Sequence, residues 1–256
     1  MKEIKFDIKS IPFLYGLIGY PLSHSFSSRY FSNKFNSLGL NDHLYTAFPL
    51  KDFDREFPAL LQEFPNLRGL NVTIPFKERI IPFLDSLSDE AAMIGAVNCI
   101  QFKNGRLIGH NTDACGFEES LVPFLKNKKN GKALVLGTGG ASKAVYHVLK
   151  KLGFEVIFVS RNPDQNQIAY QEIDSILMRN TSLIVNTTPL GMSPEIAKCP
   201  LLPYHLLNED HILYDLVYNP EKTLFLQKGE ANNCTVKNGF EMLTLQAEKS
   251  WEIWKN

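Results

Sequence analysis

The chain has 256 residues, 44% hydrophobic and 21% charged, with 27 basic side chains balanced by 27 acidic ones. That length and composition suit one large soluble domain or two modest ones, each with an ordinary core. Zero net charge, with no basic stripe and no acidic tail, argues against nucleic acid or an anionic membrane surface as partner.

Tyr15-Gly16-Leu17-Ile18-Gly19 reads as a buried strand running into the hydroxyl-rich loop Tyr20-Pro21-Leu22-Ser23-His24-Ser25-Phe26-Ser27-Ser28. A helix is predicted over Arg29 to Ser37, a strand over Leu44 to Phe48, and a helix over Asp52 to Phe64. Gly69 to Thr73 is a strand leading into Ile74-Pro75-Phe76-Lys77, and Asp89 to Ile94 is helical. Val97 to Phe102 and Arg106 to Gly109 form a hairpin around Asn104-Gly105, a strong two-residue turn signal. A helix near Gly116 to Leu125 then meets the polar connector Lys126-Asn127-Lys128-Lys129-Asn130-Gly131. Alternating strands and helices imply α/β architecture with a mainly parallel sheet.

The most informative stretch follows the connector. Lys132 to Leu136 has strand length, and Gly137-Thr138-Gly139-Gly140-Ala141-Ser142 comes at once. Ala144, Val145, Val148, Leu149 and Leu152 then mark one helix face, Gly153 ends that helix, and Phe154 to Val159 is a second strand. Strand, glycine turn, helix, strand is half of a Rossmann-like dinucleotide-binding unit. Gly137 and Gly139 let the backbone approach a pyrophosphate, and the helix start aims N–H groups and a positive dipole end at it. The second strand ends in Ser160-Arg161-Asn162, without the acid that usually holds an NAD ribose. A guanidinium there suits a 2′-phosphate, which points to NADP. Leu183 to Asn186 and Ile212 to Val217 are later strands, and Thr223 to Gly229 and Met242 to Trp254 are helices.

No apolar run approaches the ~20 residues of a membrane span, and Met1-Lys2-Glu3-Ile4-Lys5-Phe6-Asp7 is too charged for a secretory leader. Cys99, Cys115, Cys199 and Cys234 lie far apart, none in a C-x-x-C pair. This indicates free thiols in a reducing, cytoplasmic setting, with neither a disulfide framework nor a metal site.

Polar side chains gather at strand ends, where open α/β sheets bind ligands. In the first half these are Ser25, Ser27, Asn71, Thr73, Lys77, Asn98 and Asp113. Neutral hydrogen-bonding groups with one cation and one anion suit a small polyhydroxylated ligand. Spacing alone leaves bland roles open: helix caps for Ser25, Ser27 and Asp113, turn residues for Asn71 and Thr73, a surface lysine for Lys77.

Longer segments carry a resemblance. They are G-Y-P-L-S-H-S-F-S from Gly19, G-L-N-V-T-I-P-F-K from Gly69, G-A-V-N from Gly95, N-T-D-A-C-G-F from Asn111 and G-T-G-G-A-S from Gly137. N-T-T-P-L-G-M from Asn186, D-L-V-Y-N-P from Asp215 and N-G-F-E-M-L-T-L-Q-A from Asn238 continue the series. In this order they resemble the shikimate dehydrogenase family over nearly the whole chain. The resemblance implies two domains: a substrate-binding α/β domain over residues 1–115, with the helix of about 240–256 packing back on it, and a Rossmann-like NADP-binding domain over 116–239. It implies NADPH-dependent reduction of 3-dehydroshikimate to shikimate, a small-molecule substrate, and a monomer or homodimer.

By the family pattern Lys77 and Asp113 are the catalytic pair. Ser25 and Ser27 hold the substrate carboxylate, and Thr73, Asn98, Tyr218 and Gln246 its hydroxyls and ring. Gly137, Thr138, Gly139, Gly140 and Ala141 cradle the pyrophosphate, Ser160 and Arg161 serve the adenosine side, Leu216 and Gly239 flank the nicotinamide, and Asp89 touches the cofactor. The chain departs from the pattern with Ser28 in place of a usual Pro, Phe31 in place of a common His, and Ser160-Arg161-Asn162-Pro163-Asp164-Gln165, which carries one cation where the family has two. That loop leaves NAD as a possible cofactor and an NAD-preferring quinate/shikimate dehydrogenase as the nearest rival. A nucleotide-binding sensor is the rival from outside enzymes, though it has no need of the Lys77 and Asp113 pair.

Overall fold

The computed structural model describes residues 8–22, 26–125 and 131–256, and these build two sheets of six strands each. One unit comprises Met1–Thr112 with Lys249–Asn256, and the other Asp113–Glu248. Ser25 and the connector residues 126–130 lie outside the described residues.

The first unit contains β1 (Phe13–Gly19), α1 (Phe26–Ser37), β2 (His43–Pro49), α2 (Phe53–Glu63), β3 (Leu67–Val72), β4 (Ser86–Leu87), α3 (Asp89–Ile94), β5 (Cys99–Lys103) and β6 (Arg106–His110). Its strand order is β2-β1-β3-β5-β6-β4. Strands β2, β1 and β3 are parallel, as alternation with helices requires, whereas β5 runs antiparallel to β3 and β6. The sheet is therefore mixed, because a two-residue hairpin can join only antiparallel strands. Asn104 and Gly105 make that turn with φ of 53° and 73°, the left-handed pair that a tight hairpin needs.

Packing follows the sequence periods. Phe53, Phe57 and Leu60 repeat at helical spacing on α2 and are buried against Leu14, Ile18, Leu70 and Phe76. Phe53 stacks on Phe76 with ring centroids 4.4 Å apart. Each such ring contributes roughly 1.5–3 kcal/mol of burial. Elsewhere in this unit Trp254, near the chain end, lies over β3. A Cβ on Gly69 would come within 2.3 Å of its ring nitrogen, so only glycine admits the indole there. The Trp254 Nε1–H donates to the Ile100 carbonyl at 3.0 Å, which satisfies the polar edge of a buried ring.

The second unit contains β7 (Lys132–Leu136), α5 (Gly140–Lys151), β8 (Glu155–Ser160), β9 (Gln167–Ala169), α6 (Ser175–Arg179), β10 (Thr181–Asn186), β11 (Ile212–Asp215), α7 (Leu224–Glu230) and β12 (Thr235–Lys237). Every pair in the order β12-β11-β10-β7-β8-β9 is parallel. Numbered from β7, this is the dinucleotide-binding order 3-2-1-4-5-6 read from its other end, and it reverses between β7 and β10. Helix α5 buries Ala144, Val145, Val148 and Leu149, the face that its periodicity marked. It ends with Gly153 N–H donating to Lys150 O and Phe154 N–H to Leu149 O, a Schellman closure.

Several helices differ from the sequence expectation: α1 begins at Phe26, before the expected Arg29, and α6 has no counterpart in it. Helix α4 spans Thr112–Leu125, starting four residues before the expected Gly116. Asp113 therefore sits inside the first turn and is no N-cap. The last helix, α8 (Phe240–Lys255), is divided: residues through Glu248 group with the second unit and those from Lys249 with the first.

One buried carboxyl ties the ends of β10 and β11 together. Asp215 accepts from Asn186 Nδ2 at 2.9 Å, from the Val217 N–H at 3.0 Å and from Thr223 Oγ1 at 2.5 Å. Burial pushes this carboxyl up to about 6, and the three bonds only partly oppose that. The folded state thus holds the proton more tightly than the unfolded chain. The associated stability is full below about pH 4 and is lost as pH rises through about 6, by about 3 kcal/mol at most. We expect Asp215→Asn to abolish that slope, so that wild type minus variant unfolding free energy shrinks between pH 4 and pH 7. Denaturant unfolding across this range measures it, and a difference that stays constant with pH contradicts the assignment.

Candidate active site

Strand register brings the polar residues of the first unit to one edge. Ile18 pairs with Val72, and Asn71 with Cys99 on antiparallel β5, so the end of β1, the end of β3 and the start of β5 coincide. Sheet order reverses at β1, which has β2 on one side and β3 on the other. Ligands bind outside such a reversal. Backbone bonds fold the following loop over it: Thr73 N–H donates to Ile18 O at 2.9 Å, Phe76 N–H to Thr73 O at 2.9 Å and Val97 N–H to Lys77 O at 2.7 Å. Thr73 and Lys77 are half-buried on this loop, and Asn98 is buried beside it.

Two buried amides are held in fixed orientations. Asn98 Oδ1 accepts from the Thr112 N–H at 2.6 Å and Asn98 Nδ2 donates to Thr112 Oγ1 at 3.0 Å. A backbone N–H can only donate, so the amide orientation is settled. The second N–H of the same amide remains to meet a ligand acceptor. Asn71 Oδ1 accepts from Tyr45 OH at 2.8 Å, while its Nδ2 donates to Ser250 Oγ at 2.9 Å and to the Asn98 carbonyl at 3.3 Å. Asn71 is thus an interior strand residue with its amide engaged, and the turn role left open by its spacing does not apply. Ser27 lies buried in the first turn of α1 and hydrogen-bonds Tyr45, so it is no N-cap either. Burial pushes the Tyr45 hydroxyl far above the ordinary phenol range, which keeps it a donor. Asp89 is exposed in the first turn of α3, beyond β4 at the far end of the strand order from β1 and β3.

The second unit also has one such edge. Leu136 pairs with Val159 and with Asn186, and Asn186 with Asp215, so the loops after β7, β8, β10 and β11 emerge side by side. Tyr214 pairs with Lys237, which puts Gly239 in line with Leu216. Gly137 has φ of 102° and packs so closely on the next loop that a Cβ would meet Thr188 Cγ2 at 2.8 Å. Both observations require glycine there. Gly139 precedes α5, and a Cβ on it would meet nothing within 4 Å. The space before the helix start is open, and the N–H groups of Gly140 and Ala141 have no intrahelical acceptor. A glycine bend with open space before free helix N–H groups fits a dinucleotide pyrophosphate. Thr138 is exposed at the crest of the bend.

Ser160 ends β8 and its Oγ accepts from the Asn162 N–H at 3.2 Å, with exposed Arg161 between them. The Asp164 carboxylate in the same loop is engaged by the Asn166 N–H at 3.0 Å and by Gln167 Nε2 at 2.7 Å. Gly239 lies so close to Leu216 that a Cβ would approach the Leu216 carbonyl to 2.1 Å. Tyr218 follows, half-buried. Helices α4 and α8 meet at Gly116, where a Cβ would come within 2.6 Å of Met242 O and 3.0 Å of Gln246 N. Asp113 is three residues before Gly116 on the same helix face, and both Asp113 and Gln246 are buried. Among the described residues no cluster of His, Cys, Asp and Glu could hold a metal ion.

Sequence reasoning passed over Tyr45, Thr112, Ser250 and the group of Asn186, Asp215 and Thr223. Tyr45 and Ser250 carry no local signal, because an alternating strand and an amphipathic helix read as core. Asn186 and Asp215 stood inside matching segments, and a buried acid closing a strand was a usable sign.

Comparison with known proteins agrees with this geometry. Residues 17–100 match the family model of the shikimate dehydrogenase substrate binding domain. The chain is 35% identical to the NADP(+) shikimate dehydrogenase of Desulforamulus reducens, with 93% of this chain and 88% of the relative covered. A shikimate dehydrogenase structure from Aquifex aeolicus superposes with a TM-score of 0.85 at 34% identity, covering 97% of this chain and 94% of that one. A shikimate 5-dehydrogenase from Thermus thermophilus, solved in complex with NADP(H) and shikimate, gives a TM-score of 0.81 at 34% identity, with 94% and 93% covered. The chain belongs to the shikimate dehydrogenase family.

Proposed function

We propose that this chain catalyses the reversible reduction of 3-dehydroshikimate to shikimate with NADPH. The observation that carries the reading is the neutral polar edge of the first unit, Ser27, Thr73 and Asn98 with Lys77 as its cation, in a chain whose other sheet presents the glycine bend. Relatives named as NADP(+) shikimate dehydrogenases support the same activity. No helix among the described residues is long and apolar enough to cross a membrane. We assign the enzyme to the cytoplasm from its four widely spaced cysteines, none in a C-x-x-C pair.

Residues 1–112 with the chain end are the substrate part in this reading, and 113–248 the cofactor part. Gly137, Thr138, Gly139, Gly140 and Ala141 would hold the pyrophosphate by their backbone, with Arg161 and Ser160 on the 2′-phosphate. Leu216 and Gly239 would flank the nicotinamide. Bound NADPH supplies the hydride. Negative charge then develops on the ketone oxygen, and the Lys77 ammonium donates a proton to it; in oxidation the amine accepts that proton from the hydroxyl. Asp113, the other member of the catalytic pair, would accept from a substrate hydroxyl. Ser25 and Ser27 bind the substrate carboxylate, the Ser27 hydroxyl turning from Tyr45 to reach it, and Thr73, Asn98, Tyr218 and Gln246 hold the ring hydroxyls. Asp89 is a weaker cofactor contact.

Three measurements test this. Steady-state assays with shikimate and quinate, each with NADP and NAD, should give the highest kcat/KM for shikimate with NADP; preference for quinate with NAD would replace the reading by its rival. Loss of general acid–base help costs about 10²–10⁴-fold, so Lys77→Ala should lower kcat by at least about a hundredfold while shikimate still binds calorimetrically. A near-normal kcat removes Lys77 from proton transfer. Arg161 is exposed, so its ion pair is screened, and Arg161→Ala should lower kcat/KM for NADP about tenfold with little change for NAD. An equal loss with both cofactors would separate Arg161 from the 2′-phosphate.

A further inference from the structure

Four side chains outside the assigned substrate and cofactor set, the Asn71 amide among them, form a run of hydrogen bonds that ends on the Asn98 amide. They come from β2 (Tyr45), β3 (Asn71), the start of α4 (Thr112) and the end of α8 (Ser250), and all are buried, Thr112 and Ser250 completely. The bonds are continuous. Tyr45 OH donates to Asn71 Oδ1 at 2.8 Å, and Asn71 Nδ2 donates to Ser250 Oγ at 2.9 Å. The Ser250 and Thr112 hydroxyls lie 3.2 Å apart, and Thr112 clamps Asn98 through both its N–H and its hydroxyl. All of these groups are uncharged, so the set holds geometry without placing a charge beside a ligand.

We propose that Tyr45 and Ser250 are positioning residues for substrate. They fix the Asn71 amide and, through Ser250 and Thr112, the plane of the Asn98 amide, whose remaining N–H faces a substrate oxygen. This rests on the reading of the first edge as the substrate site. The physical argument is one of alternatives. A buried amide with every local partner satisfied has one orientation. An amide that has lost a partner gains another rotation and must lose it again on binding, which weakens the substrate and leaves the cofactor edge of the other unit untouched. Thr112 immediately precedes Asp113 in the chain, so the same clamp sets where α4 begins and which way its first turn presents that carboxylate.

The test uses two conservative deletions in the full-length enzyme, Tyr45→Phe and Ser250→Ala. Each should raise KM for shikimate about tenfold, the equivalent of one lost hydrogen bond, while KM for NADP and kcat change less than about threefold. The double variant should lose little more than either single one, because both interrupt one connected set. Independently of activity, the side-chain amide resonances of Asn98 in a ¹⁵N spectrum should shift in Tyr45→Phe, although Tyr45 does not touch that residue's side chain. If Ser250→Ala does not fold, Tyr45→Phe alone decides the matter. Unchanged KM for shikimate in a folded Tyr45→Phe enzyme, with unmoved Asn98 resonances, would overturn the positioning role and leave the activity standing. Wild-type protein that fails to turn over shikimate would overturn the activity, whereas the Asn98 resonances would still report on the relay.

Discussion

Strand ends gather at one edge of each sheet, and that is the constraint on which both units are built. Their last carbonyls and the first N–H groups of the following loops crowd one edge, where each must find a partner. Both sheets meet the demand with an asparagine. In the first unit Asn98 Oδ1 takes the Thr112 N–H; in the second Asn186 Oδ1 takes the Thr188 N–H at 3.1 Å. In each case the amide nitrogen donates to a further side chain, Thr112 Oγ1 or Asp215. The loops that a ligand would meet are thereby fixed from behind, by Thr112 in the first unit and by Asn186 and Asp215 in the second.

The two edges differ in their charge, and the difference suits their proposed ligands. The first is furnished with hydroxyls, amides and the lysine of the loop after β3, which matches a small acid rich in hydroxyls. The second offers backbone N–H groups at a helix start and a guanidinium after β8, which matches phosphates. The buried carboxyl of that edge, Asp215, is held by three donors, and burial favours its neutral form. Glycine serves shape in both units: at Gly137 because the backbone must turn left-handed against Thr188, and at Gly69 because an indole lies on the strand.

How much of this was legible from residues alone depended on the range of the interaction. The turn at Asn104-Gly105, helix α5 with its Schellman end and the strand before Arg161 are local, and local periods and turn residues announced them. The start of α4 was misjudged because its cap comes from Asn98, fourteen residues upstream, and no neighbouring residue signals it. Strands β9 and β12 have three residues each, too short for a period to appear. Parallel pairing holds for β2, β1 and β3 of the first sheet and throughout the second. What went unweighed was that the hairpin, itself read correctly, inserts antiparallel β5 between β3 and β6.

The amino-acid sequence by itself determined the α/β class, the glycine bend after β7, the single guanidinium after β8 and, through long ordered segments, the family. These rest on residues adjacent in the chain, where covalent spacing sets the geometry. Only the tertiary structure decided that Tyr45, Asn71, Thr112 and Ser250 form one buried connection, and that Asp215 gathers the ends of two strands. Those side chains are brought together by strand register and by the return of the last helix. Hydrogen bonds depend on distances of about 3 Å, which sequence separations of 26 and 179 residues do not encode.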